Sequence, residues 1–524
     1  MHADISRITF RPDRHYSAVI AQQGRVQLDA DANEQTAIQL MRARTTAADL
    51  IGPHGGPHGA TGFELRFLGG SRELDDLSIG AGRYYVDGIL LDTTRPQPGV
   101  PVVDDGHSAE EDDKDAPGDA RPPATWTYWD QPDGHRDPER PGDRLPSQFP
   151  YLAYVKVWER LVTAAEDPVL REVALGSAMP DTAARLKVVW QVLPLPGSQL
   201  ELEDGATKDQ VRAAFAKWTA AQAPSARMAA RSERPDHADE DPCLVKPDAR
   251  YRGQENQMYR VEIHEGGAAK DATFKWSREN GSVTFPVDEL DGTWVELASL
   301  GSDDKLDLNV GDRVEFVDTA YISRSEPLPL LRVEEVDLPG RRVRLSGEPD
   351  PSVGRRPELH PFLRRWDHRS ESRSGSSRTK KGAAKLRDGA LRIEEGGWLP
   401  LEDGVFVYFE PGRTYRPGDF WTVVARTATG NVEWPTDPAR RPLLQAPAGN
   451  QVHYAPLAWV LGEGSVADLR LAFGPLATAI PAADAEALEA EATFEAQAAA
   501  AESAAPDGSG SRPAGQDDEG QPEN

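Results

Sequence analysis

Period-two alternation of apolar and polar positions dominates this chain, and one stretch near its start breaks it. Residues 151–160 (YLAYVKVWER), 185–193, 259–264, 273–277 and 405–409 alternate as strands do. From Asp31 the period lengthens: Ala37, Ile38, Leu40, Met41, Ala47, Ala48 and Leu50 share one helical face, Asp31 or Asn33 can cap it, and Gly52-Pro53 ends it. Ahead of this helix, Ile8-Thr9-Phe10 and Val19-Ile20 read as short strands with a hairpin around Gly24. A second helical face comprises Val211, Ala214, Phe215 and Trp218. Asn280-Gly281 predicts a hairpin between 273–277 and 282–287, because both positions tolerate positive φ. Four short runs between Trp294 and Gly347 predict a small barrel or sandwich.

The expected fold is therefore mainly β, built from several modules of short antiparallel strands, with an N-terminal helix and a disordered acidic C-terminal tail. Eight segments follow from the composition shifts. Residues 1–98 form a strand–helix–strand module, 99–144 an acidic, Pro-rich insert, 145–204 a β module and 205–250 a helical and acidic insert. Residues 251–369 hold hairpins and the barrel-like unit, 370–388 a basic Ser/Gly linker, 389–480 a C-terminal β module and 481–524 the Ala/Glu-rich tail.

Composition narrows the classes. Hydrophobic residues make up 38% of the 524, and 46 Gly with 43 Pro predict long loops. A formal charge of −27 argues against a nucleic-acid surface, which needs a dense basic patch. The single cysteine, Cys243, excludes an intrachain disulfide and a cysteine-cluster zinc site, and its apolar neighbours predict a buried side chain. The first residues lack the pattern of a secretory signal and no window is apolar enough to span a membrane, so cytoplasmic synthesis is expected.

Candidate chemistry is sparse. His15, His54 and His58 could bind a metal, but histidines in a Gly/Pro loop are commonly incidental. The acidic run 110–113 lacks the spacing of a calcium loop and reads as a solvated insert. Glu159, Glu166, Asp167, Arg171, Glu172 and Asp181 look catalytic in number, with Glu159, Glu166 and Glu172 the candidate carboxylates, weighed against a hydrogen-bonded ion-pair network of the six that fixes the loop between two strands. Ser277, Glu279 and His264 lack the surroundings of a hydrolytic triad. No P-loop, dinucleotide fingerprint or zinc-protease motif occurs, and no cofactor is expected.

The opening FRPDRHYSAVIAQQGRVQLDADANEQ resembles the start of an uncharacterised protein family encoded with phage tail-like contractile injection systems. YLAYVKVWERLVTAAEDPVLREVALG, RLKVVWQV, YRGQENQMYRVEIHEGG, FKWSRENGSVTFPV, GDRVEFVD and YRPGDFWTVVARTATGNVEWP with HYAPLA resemble it in the same order. The resemblance implies a non-enzymatic structural or accessory part of such a particle, at the baseplate or a fibre. Its partners would be other protein subunits, and it would be made in the cytoplasm, assembled into the particle and released with it. Arg11, Asp13, Arg14, His15, Gln22, Gln23, Arg25, Asp29, Asp31, Asn33 and Glu34 are expected to form a polar clasp that locks the N-terminus onto the β modules or docks it on a neighbouring subunit. Trp158, Glu159, Arg160, Trp276, Arg278, Glu279 and Asn280 are further candidate contacts. Two other classes stay open: a surface- or carbohydrate-binding module using Trp126, Trp129 and Trp398, and a hydrolase cargo using Glu159, Glu166 and Glu172.

Overall fold

Two long strands, Tyr151–Val162 and Arg185–Pro196, pair antiparallel along their whole length. Val452–Gly462 and Ser465–Asp468 complete a four-stranded sheet with them. This computed structural model describes residues 2–69, 75–96, 125–176, 179–202, 205–232, 250–301, 305–368, 386–477, 493 and 496–497. One face of the sheet buries Tyr151, Ala153, Val155 and Val157 against Phe63, Leu77, Tyr84 and Leu91 of the N-terminal strands. Helix Lys208–Ala221 covers the other face. Thr207 Oγ1 caps it by accepting from Gln210 N (3.3 Å), and Val211, Phe215 and Trp218 pack on Leu152 and Tyr154.

A second core lies under a six-stranded sheet centred on Gln257–Ile263, Thr273–Ser277 and Phe420–Arg426. It includes the three-stranded sheet of Trp398–Pro400, Val405–Phe409 and Met228–Ser232. The third is a closed barrel of Thr284–Asp291, Trp294–Leu297, Arg342–Leu345, Leu331–Asp337, Arg313–Val317 and Phe362–Trp366, filled by Phe285, Val295, Val314 and Val343 among others. The fold is thus mainly β, as the alternation predicts. The sheets, however, join strands from distant segments: Met228–Ser232, within the expected insert 205–250, pairs with Val405–Phe409, and the C-terminal Val452–Gly462 pairs with Tyr151–Val162. These strands lie within one compact unit, residues 1–473, while a second unit, 474–524, has helical backbone at residues 493 and 496–497.

Three local expectations change. No strand occurs among residues 2–28; Arg25 N bonds Gln22 O (3.2 Å) and Gly24 has φ +69°, so the turn forms but no partner strand lies beside it. The helix starts at Asp29, not Asp31, and Asp31 instead accepts the Leu28 N–H (3.0 Å). Asn280 and Gly281 do take positive φ, +52° and +67°, yet the strands they join belong to different sheets: Thr273–Ser277 to the six-stranded sheet and Thr284–Asp291 to the barrel. The turn carries the chain between cores and makes no hairpin. The second half of the expected insert 99–144 is also structured: Tyr128 is buried and donates to Asp143 O (2.7 Å), and Gln131 bonds Val192 N and O. Cys243, the acidic run 110–113, most of the basic linker and most of the tail lie outside the described residues.

Candidate functional site

Where the six-stranded sheet meets the barrel, both faces of the strands are covered, so the polar residues of the alternating pattern become internal. Gln257–Ile263 and Thr273–Ser277 are buried at every position. Arg260, Glu262, Lys275, Glu315 and Arg364 are all at most 6% exposed. They satisfy one another. Arg260 Nε donates to Glu262 (2.6 Å), and Lys275 Nζ donates to Glu315 (2.7 Å) and lies 3.3 Å from Glu262. Glu315 also accepts from Trp366 Nε1 and Tyr321 Oη, both at 3.1 Å. Burial alone would raise the Glu262 and Glu315 carboxyls, but Arg260 and Lys275 at Glu262, and Lys275 and Arg364 at Glu315, hold both below the usual range. The junction is therefore ionised and closed.

The N-terminal segment ends in this junction. His2 Nε2 lies 2.8 Å from Glu262 Oε2, its ring meets Trp366 edge-on, and Ala3 is buried with its carbonyl accepting from Asn280 Nδ2 (2.9 Å). Burial, then Arg260 and Arg364, keep the His2 imidazole well below its ordinary pKa. Beyond Ala3 the chain comes out. Every residue from Arg11 to Asp29 is exposed except Val19, and Tyr16, Ile20 and Val26 are 57%, 78% and 85% exposed. Helix Asp29–Ile51 buries only Ala30 and Ile38, and Arg44 near its end pairs with Glu159. Between Arg7 and Leu28 four arginines face one aspartate, on a chain of net charge −27. A basic, apolar arm therefore leaves a small anchored tip.

The expected clasp residues divide accordingly. Asp29 accepts from Ser6 N and Oγ (2.8 and 2.6 Å) and Asp31 from Leu28 N; Arg11 and Asp13 pair only with each other. His15 closes a short turn, while Gln22, Gln23, Arg25 and Asn33 face solvent and Glu34 is half-buried. Trp158 is buried under Lys156 Nζ (4.7 Å), and Arg160 pairs with Glu166. Trp276 is buried, Arg278 grips Glu402 with two bonds (2.8 and 2.6 Å), Glu279 meets Lys305 (3.3 Å) and Asn280 holds the arm tip. Glu159, Glu166 and Glu172 do not share a partner: they serve Arg44, Arg160 and the Ala174 N–H respectively. Arg95 lies 4.3 Å over Trp126 and Arg231 lies 4.1 Å over Trp398, so each of these rings has a cation on one face, while Trp129 is tied at its edge by donating to Asp75 O.

Sequence reasoning did not single out Arg260, Glu262, Lys275, Glu315, Arg364 or His2. Strand alternation placed Arg260, Glu262, Lys275 and Glu315 on a solvent face, and Arg364 was read only as the end of the barrel-like unit. Among the described residues, no three metal-ligating side chains converge and no helix is long and apolar enough to cross a membrane. A model described as a family of unknown function, DUF6519, matches residues 1–113 and 203–519. No curated protein and no solved structure matches the chain.

Proposed function

The chain belongs to the DUF6519 family of unknown function, and on that premise we propose that it is a non-enzymatic structural or accessory subunit of a phage tail-like contractile injection particle, at the baseplate or a fibre. The link to such particles rests on the resemblance of seven ordered stretches between Phe10 and Leu457. The observation that carries the docking role is the exposed arm: Ile20 and Val26 lie out in solvent among Arg11, Arg14 and Arg25, a composition suited to an acidic protein surface. The paired state of the buried charges supports a structural reading of the junction, because each carboxylate already has its cation. The cations stacked on Trp126 and Trp398 favour this reading over a carbohydrate platform.

The test is particle purification from cells carrying a tagged copy of this chain. Copurification with sheathed particles, lost in an Ile20→Asp/Val26→Asp variant that still folds, is expected. Particles that assemble at normal yield and still inject after deletion of the gene would overturn the proposal.

A further inference from the structure

The arm tip sits in a socket whose charges are matched without it. Glu262 is held by Arg260 Nε and Lys275 whether or not His2 is present. Room for the tip comes from Gly281: at φ +67° it has no side chain, and a Cβ there would stand 2.7 Å from His2 Cδ2. Asn280 supplies a directed bond to the Ala3 carbonyl. This is a small receptor for a two-residue stretch of peptide, with a wall at Trp366, an acid at Glu262 and an amide donor at Asn280.

The segment behind the tip is longer than its own chain needs. Ser6 already bonds Asp29, and Thr9 bonds the Ala30 carbonyl, so the chain returns at residue 29 to the place it left at residue 6. Hydrogen bonds from residues 10–28 stay within that excursion or run to the helix that follows it. Residues 7–28 could extend up to about 75 Å, enough to reach across to another copy. Of their four arginines, Arg7 lies 3.6 Å from Glu433 of its own chain and Arg11 pairs with Asp13, while Arg14 and Arg25, with the exposed apolar side chains, are complementary to the acidic remainder of the chain.

We propose that the arm is an exchange element: the His2–Ala3 tip of one copy seats in the Glu262–Asn280–Trp366 socket of a second copy, with the basic loop lying along the receiving chain. The tip's contacts are the same in either arrangement, so exchange exposes no new buried surface and leaves the loop to add contacts. This deepens the subunit reading by naming the copy that receives the arm, and it rests on the arm being a docking element.

The experiment uses the full chain. Ala3→Cys and Asn280→Cys are introduced with Cys243→Ser and oxidised over a range of protein concentrations, and the products are resolved without reductant. In parallel, light scattering gives the mass of the unmodified chain and of His2→Glu, which sets two carboxylates together at the tip and leaves the socket untouched. Interchain-linked species that increase with concentration are expected, together with a mass above one chain that falls to one chain in His2→Glu with unchanged circular dichroism. Only intrachain-linked product, or a one-chain mass for the unmodified protein at every concentration, would overturn the exchange. Particle copurification is scored separately. If it persists while the link is intrachain, the exchange fails and the subunit reading stands. If the links are interchain but the chain is absent from particles, the exchange stands and the subunit reading fails.

Discussion

Acid weakens the buried junction from the histidine side. His264 and His368 are 3% and 0% exposed. Burial first, with Lys275 beside His264 and Arg313 near His368, holds their pKa values down to about 3 and about 4. His368 Nε2–H donates to the Gly389 carbonyl (2.8 Å), and its buried Nδ1 has no acceptor to receive a second proton, which favours the neutral ring. The unfolded chain protonates the same rings near pH ~6.5. As pH falls below that value the unfolded state binds more protons, so stability drops until the folded pKa values are reached. Between pH ~7 and ~5 each ring costs about 2 kcal/mol. Asp419 works in the other direction: burial, only partly opposed by Arg416, raises its carboxyl to about 6, so the folded state gains its proton first and offsets about 1 kcal/mol. Glu262 and Glu315 are held below the usual carboxylate range, so their contribution is lost only below about pH 4.5. The expected net loss is about 3 kcal/mol. The lowered His2, His54 and His135 add to it, while the raised Asp76 and Glu279 oppose it. Urea unfolding at pH ~7 and ~5, followed by tryptophan fluorescence, measures it. A His264→Gln/His368→Gln variant should lose most of the slope. Constant or rising stability on acidification, or an undiminished slope in the variant, would refute the assignment of two neutral buried rings.

Three other outcomes follow from single contacts. Lys275→Met leaves Glu262 and Glu315 with fewer cations at 6% and 5% exposure and should cost about 3–5 kcal/mol in denaturant unfolding; a cost below about 1 kcal/mol would show that the network is not coupled. Arg324→Met removes two bonds to the buried Asp143 (2.7 and 2.9 Å) but leaves Arg136, so about 3 kcal/mol and faster proteolysis within residues 125–144 are expected, and an unchanged cleavage rate would contradict the tie. Ile20→Asp with Val26→Asp should move stability by no more than about 0.5 kcal/mol, because both side chains lie in solvent, and a large drop in thermal midpoint would mean that the arm packs on its own body.

The sequence was informative where one periodicity coincided with one environment. The helix bearing Val211 and Phe215 and the barrel around Val295, Val314 and Val343 were legible because each buries one face or one stripe, and the strands read at 151–160 and 185–193 were legible because they are rich in β-branched, aromatic and other apolar residues. Legibility failed where a strand covered on both faces carries charged residues on one of them. Arg260, Glu262 and Lys275 alternate with apolar neighbours as solvent-facing residues do, and nothing local distinguishes water from an oppositely charged strand several dozen residues away. Asn280-Gly281 failed for a related reason: its residue types fix the backbone angles of the turn but not which sheet receives the next strand. In the arm, Ile8, Val19 and Ile20 have strand chemistry without a partner strand among the described residues, and propensity without pairing forms no ladder.

The same feature that hid the junction explains its form. A buried ion-pair network is seldom more stable than apolar packing of equal volume, because desolvation offsets most of the attraction. What it adds is geometric selectivity. Glu262 must meet Arg260 and Lys275, Lys275 must also reach Glu315 from the barrel, and Trp366 must aim its N–H at the same carboxylate. Only one placement of barrel on sheet satisfies all of these, whereas apolar surfaces would tolerate several. The socket beside Glu262 inherits that rigidity, since its acid, its amide and its aromatic wall belong to three strands or turns fixed by the network. A receptor so defined can hold a two-residue tip at a set position while residues 10–28 stay free to meet a surface outside their own fold.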